Sequence, residues 1–184
     1  CPRIIEKLYN TETIVRAMPL VLEKIPEARF VFSEYMGDAT YIAEMKSLVR
    51  RLGVNASVLF LRDFPYEKMP LLLNLSEVLV SIPDSDGLPI SLLEGMACGV
   101  VPIVGNLPQY GGVIENEVNA LVVPTKEPAA LAGAIIRLLA DACLRRRLSE
   151  ASLSTTIDCA DYETEMAKME ELYYELAGLG ERKQ

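Results

Sequence analysis

The stretch VLVSIPDSDGLPISLLEGMACGVVPIV, residues 78–104, decides the fold. Residues 78–82 form a short run that is apolar on both faces and reads as a strand. Residues 83–88 hold the turn formers, residues 89–98 have apolar side chains at helical spacing, and residues 101–104 are again strand-like. Two strands of this kind joined through a helix make one parallel step, because parallel neighbours need a long crossover between them.

The same alternation extends in both directions. Upstream, Asn10 or Thr11 is placed to cap a helix carrying Ile14, Ala17, Met18, Val21, Leu22 and Ile25, and Pro26 closes it. Residues 29–33 (RFVFS) are strand-like, residues 41–52 helical with Gly53 as the stop, residues 58–61 (VLFL) strand-like, and residues 67–75 helical. Downstream, residues 121–123 add a strand. From Pro128 the spacing is helical only, over residues 128–140, 142–153 and 161–176, and this tail is expected to wrap the sheet, with residues 178–184 fraying. The fold class expected is α/β, a Rossmann-like doubly wound parallel sheet with helices on both faces and a helical tail, in one domain spanning residues 1–184.

Composition narrows the chemistry. The chain has 184 residues, 51% hydrophobic and 24% charged, and no apolar run reaches the roughly 18 to 20 residues of a membrane span. A formal net charge of -8 argues against a nucleic-acid surface or an anionic membrane surface. The four cysteines lack CxxC or zinc-ligand spacing, which fits a reduced cytoplasmic compartment without structural metal. There is no histidine, so Ser-His-Asp and Cys-His nucleophiles and His-ligated metals are excluded from this chain. The chain starts at Cys1 with no signal-peptide pattern, and is read as a piece of a longer protein.

Within the opening stretch, Asp86 and Glu94 stand eight residues apart. Ligands of open parallel sheets bind beyond the carboxyl ends of strands, where loops lead into helix N-termini. A loop-then-helix path puts the two carboxylates on the order of 8 to 10 Å apart, room for a diphosphate between acids that accept hydrogen bonds from ribose and hexose hydroxyls. On the helical wheel, Ile90, Leu92, Leu93, Met96 and Ala97 cluster as the buried face, and Glu94 flanks it. With 26 acids in the chain, however, the spacing also fits a turn-forming Asp-Gly and a solvated glutamate, and the residues alone leave both readings open.

The wording around the pair points further. SDGLPISLLEGMACGVVPIV resembles the acid-x7-Glu segment of retaining GT-B glycosyltransferases of family four, usually close to E-G-F-G-L-x-x-L-E-A-M-A-C-G-x-P-V-I. GGVIENEVNALVVP is similar to that family's G-G-x-x-E stretch, EPAALAGAIIRLLAD to the helix after it, and PRIIEKLYNTETIVRAMPLVLEKIPEARFVF to the start of its second domain. The resemblance covers essentially this whole chain but only the C-terminal, donor-binding half of such an enzyme. It implies sugar transfer from a nucleotide sugar, such as a UDP- or GDP-sugar, with retention of configuration and without a metal cofactor. It makes Glu94 the ribose ligand and Asp86 the acid beside the transferred sugar. Gly87, Leu88, Pro89 and Ile90 would meet sugar and phosphates, Arg3 and Lys7 the diphosphate, and the turn at Arg62 the nucleobase. Asp84 and Asp86 match the letters of a DxD metal motif but fall in the donor loop.

The partner implied is the acceptor-binding N-terminal half, through which any peripheral membrane contact would run, and the isolated chain is expected to be inactive. Departures are specific: Asp86 for glutamate, Gly95 for alanine, Ala120 for glycine, SEYMGD in place of a Gly-x-Gly, and Lys7 closer to Arg3 than usual. Glu115 is read as structural, and Tyr162, Tyr173 and Tyr174 as packing of the tail. The family has a central strand just before the arginine, where only Cys1 and Pro2 stand here. A gap or exposed apolar edge is therefore expected, which a second copy in a homodimer could fill. The alternatives weighed are a non-catalytic GT-B-like binding or regulatory module, and an NAD-linked Rossmann protein, for which no GxGxxG follows a strand.

Overall fold

Strand and helix alternate as the spacing requires in a computed structural model, which describes residues 1–34 and 37–178. In chain order the elements are α1 (Thr11–Lys24), β1 (Phe30–Ser33), α2 (Ala39–Arg51), β2 (Val58–Leu61), α3 (Met69–Asn74), β3 (Val78–Ser81), α4 (Ile90–Ala97), β4 (Val101–Gly105), β5 (Leu121–Val123), α5 (Pro128–Ala140), α6 (Ala142–Ala160) and α7 (Tyr162–Leu176). Tyr35 and Met36 of SEYMGD, and residues 179–184 of the segment expected to fray, lie outside the described residues. Some local signals act as read: Gly53 has a left-handed φ of 70° just past α2, a conformation that glycine adopts without strain. Asn10 acts differently. Its side-chain amide caps nothing in α1 and instead donates to the Ile82 carbonyl at 2.9 Å and to Asp84 Oδ1 at 2.8 Å, tying the start of α1 to the end of β3.

Every strand pairing is parallel, β1 with β2, β3 with β4 and β4 with β5. The doubly wound sheet is interrupted at one place. β1 and β3 are not bonded to each other, and a cavity of about 490 Å3 lies between them, lined by Phe30, Val31, Val78 and Val80 among others. The gap expected from the sequence is thus present. The α-amino group of Cys1 reaches into it and donates to the Val31 carbonyl at 2.8 Å. Burial of the amine against the strand pushes it down to about 5, since burial disfavours its charged form.

Because successive strand side chains point to opposite faces, the sheet feeds two cores. Val80, Ile82, Val101, Ile103, Leu121 and Val123 pack with α1 and α5, while Leu79 and Val104 pack with Leu92 and Met96 of α4. The buried arc of α4 is Leu92, Gly95 and Met96, which corrects the expected one: Ile90 is 72% exposed and Ala97 is exposed. Ile90 is the first residue of the helix, where the chain is still leaving the loop, and contact with β3 begins a turn later. Gly95 has a packing reason. A Cβ there would lie 2.4 Å from Leu79 Cδ1, so an alanine would force the end of that buried leucine to shift, which offsets the roughly 1 kcal/mol that a helical glycine costs.

The tail needs a second correction. α6 continues past residue 153 to Ala160, burying Leu144, Leu148, Ser152 and Thr156 and lying against α4. α7 has no buried residue: Tyr162 and Tyr173 are exposed and Tyr174 is half-buried. The wrapping is done by α6, because the chain turns at Asp161, whose carboxylate accepts from the Thr164 N–H and starts a new helix there. Among the described residues no helix is long and apolar enough to cross a membrane.

Candidate functional site

β3 ends at Ser81 and its chain passes through Pro83, Asp84, Asp86 and Gly87 into α4. Residues 3–9 lie along this loop, held by the Asp84 N–H donating to the Leu8 carbonyl at 2.9 Å and by fully buried Ile5. Two segments remote in sequence therefore share one edge of the sheet, the edge where the carboxyl ends of parallel strands leave a crevice.

Arg3 and Asp86 meet in that crevice. Their side chains are 16% and 17% exposed and form an ion pair at 2.7 Å, in which Asp86 Oδ2 is buried with the guanidinium as its charge partner. Arg3 is oriented from two further sides. Its Nη1 donates to Ser91 Oγ in the first turn of α4 at 3.3 Å, and its guanidinium lies 4.5 Å from the centre of the Tyr9 ring, within cation–π range. Arg3 Nε is buried and has no hydrogen-bond partner. α4 begins after Pro89 with no capping side chain, so the Ile90 and Ser91 N–H groups face the loop with no partner among the described residues. A guanidinium fixed beside an uncapped helix start is an arrangement suited to an anion.

Glu94 lies half-buried one turn further along α4, and its Oε1 accepts from the hydroxyl of Tyr66, on a 3-10 turn after β2. That carboxylate holds the Tyr66 phenol above its ordinary range. Gly87 is exposed, and a Cβ built on it would meet nothing within 4 Å, which leaves open space over the main chain of the loop. Leu88 is half-buried and Pro89 buried, so the backbone of this stretch is firmly placed. Ile90 presents an exposed side chain to solvent.

Not every residue singled out from the sequence is gathered here. Lys7 is exposed on the 3-10 turn before Asn10, and Arg62 is exposed after β2; among the described residues neither forms a hydrogen bond or ion pair with Arg3, Asp86 or Glu94. The lysine that does reach the loop is Lys126, after β5, whose Nζ pairs with Asp84 Oδ2 at 2.8 Å. Asp84 is held below the usual carboxylate range first by the Asn10 amide and then by Lys126. Tyr110 is a member the sequence reading passed over. It is 3% exposed, its phenol pushed up first by burial and then by Asp86. The Ser81 hydroxyl lies near enough to act on it weakly, yet the two miss hydrogen-bond geometry and both stay unpartnered. The available signal was position, since PQY at residues 108–110 follows β4 at the same sheet edge as the loop after β3. Glu115 supports the turn before β5 through its backbone: its N–H donates to Asn119 Oδ1 at 2.8 Å.

The class defined by these features is a Rossmann-like domain of the GT-B type with an anion-suited crevice at the strand ends. The chain belongs to the glycosyl transferases group 1 family, whose model matches residues 3–154. It is similar to the GDP-mannose-dependent alpha-(1-6)-phosphatidylinositol monomannoside mannosyltransferase of Mycolicibacterium smegmatis, 27% identical over 94% of this chain and 46% of that protein. It is also similar to the N-acetyl-alpha-D-glucosaminyl L-malate synthase of Bacillus anthracis, 24% identical over 92% of this chain and 43% of that protein. The chain thus spans about half the length of these relatives. In architecture it matches HepE of Anabaena, solved in complex with UDP, with a TM-score of 0.86 at 16% identity over 95% of this chain and 47% of that one. The C-terminal domain of a glycosyl transferase group 1 family protein, LpcC of Francisella tularensis, matches at 0.78 and 19% identity, over 86% of this chain and 83% of that domain.

Proposed function

We propose that this chain is the donor-binding half of a retaining glycosyltransferase, transferring a sugar from a nucleotide sugar to an acceptor held by an N-terminal half. The observation that carries the reading is the Arg3–Asp86 pair set beside the uncapped start of α4. Departure of a nucleoside diphosphate builds negative charge on phosphate oxygens, and Arg3 with the Ile90 and Ser91 N–H groups is positioned to stabilise it. Asp86 takes the transferred sugar and Glu94 the ribose diol, each as a hydrogen-bond acceptor. Gly87 leaves the approach open, and the backbone of Leu88 and Pro89 forms the floor. A metal ion is not required in this scheme, because Arg3 and the start of α4 supply positive charge toward the leaving diphosphate. Support for a nucleotide-sugar ligand comes from the relatives, one named for dependence on GDP-mannose and one solved with UDP. Lys7 and Arg62 are left out of this assignment.

The test is a calorimetric screen of UDP, GDP and ADP and their sugars against the 184-residue chain and its Glu94→Gln variant. The substitution keeps size and removes a charged acceptor whose hydrogen bonds are worth about 1.5–3 kcal/mol. Affinity for the best ligand should fall about tenfold or more with the melting temperature unchanged. Unchanged binding together with a lowered melting temperature would make Glu94 structural and remove it from the site.

A further inference from the structure

Asp86 and Glu94, the two acids assigned to the donor, already have internal partners. Asp86 is held by Arg3, and Glu94 accepts from Tyr66. The two partners differ in how firmly they are fixed. Arg3 is anchored by Ser91 and Tyr9 as well as by Asp86, and its side chain is 16% exposed. Tyr66 sits on a short 3-10 turn in the loop between β2 and α3, is 66% exposed, and has the Glu94 carboxylate as its hydrogen-bond partner.

We infer that Tyr66 is a removable cap on Glu94, a phenol hydroxyl that occupies the acceptor until the ribose hydroxyls of a donor displace it. This rests on the assignment of Glu94 to the ribose. A carboxylate that receives a vicinal diol offers its oxygens to two hydroxyls, and Oε1 already accepts from the phenol. The diol and the phenol present the same donor group to the same atom, so the two compete. The capped carboxylate meets the ligand less readily than a free one, by the fraction of time that the phenol holds it. Since the ring is mostly in solvent, its release disrupts little packing, and the exchange returns one hydrogen bond for another.

The experiment compares the 184-residue chain, Tyr66→Phe and Glu94→Gln by calorimetry with the tightest-binding nucleoside diphosphate of the UDP, GDP and ADP set and with its 2′,3′-dideoxy analogue. Tyr66→Phe removes the hydroxyl and keeps the ring, so it should bind the ribonucleotide about three- to tenfold more tightly than the parent. The gain should vanish with the dideoxy analogue, which has no hydroxyls to compete for Glu94. In the parent chain, 19F resonance of 3-fluorotyrosine at position 66 should shift on adding the ribonucleotide. Equal or weaker ribonucleotide binding by Tyr66→Phe overturns the cap alone, as does an equal gain for the dideoxy analogue. Failure of the parent chain and Tyr66→Phe to bind any of the three diphosphates overturns the donor reading and the cap with it.

Discussion

The β1–β2 and β3–β4–β5 halves of the sheet are written in the same apolar vocabulary and end in different environments. β4 is buried at all five positions, and β3 at three of four. In β2, written VLFL, no residue is fully buried, and Leu59 is 54% exposed. The three-stranded half is covered on one face by α1 and α5 and on the other by α4, whereas the two-stranded half contributes Phe32, with Phe30 and Phe60 beside it, to one core only. α3, which follows β2, has one buried residue; its Leu71 is 64% exposed and Leu75, just past its end, 85%. An apolar run is thus an offer of burial, and helices decide whether it is taken up on one face or two. The candidate site lies against the half where both are covered, so α4 and its loop rest on a packed sheet.

The largest effect that bears on this contrast is expected from Leu92→Ala. Leu92 is fully buried between α4 and the three-stranded half, and truncation leaves a cavity that costs about 2–5 kcal/mol. Urea denaturation followed by circular dichroism should show the midpoint falling accordingly. A loss below about 1 kcal/mol would mean that this half is no better packed than the other.

Next comes a pH effect located in the gap between the halves. In the 184-residue polypeptide, whose α-amine is on Cys1, that amine is lowered on folding to about 5 from an ordinary 8.0. The unfolded chain therefore binds the proton first as pH falls, so stability is complete above about 8, declines as pH drops from 8 to 5, and levels off below. The full shift corresponds to up to about 4 kcal/mol. Denaturation midpoints measured from pH 5 to 8 should rise with pH, and acetylation of the α-amine should flatten this rise. A profile unaffected by acetylation would place the amine in water and the gap open to solvent.

The smallest effect is expected at Leu59→Ala, in the half covered on one face. With over half of its surface already in water, the loss should stay below about 1 kcal/mol. A loss comparable to that at Leu92 would show that the outer face of β1–β2 is covered in solution, and the contrast between the halves would disappear.

Much of the architecture was written locally. The strand-loop-helix-strand of residues 78–104, the parallel alternation and the interruption before Arg3 follow from apolar spacing, turn formers and the family resemblance, all of which act over a few residues. Asp86, Gly87 and Glu94 could be singled out as candidates in the same way, because loop and helix start are neighbours in the chain. Partners could not. Arg3 reaches Ser91 across 88 positions and Tyr66 reaches Glu94 across 28, and Lys126 rather than Lys7 meets the loop; no local spacing encodes such meetings. The exposure of Ile90, the solvated α7 and the unpaired Tyr110 hydroxyl were equally out of reach, since each depends on which neighbour is present in space. Sequence by itself determined which segments become strands, helices and loops, because those propensities are set by each residue and its nearest neighbours. Tertiary structure alone decided which charges pair and which apolar faces are covered, because these follow from distances between segments that only folding brings together.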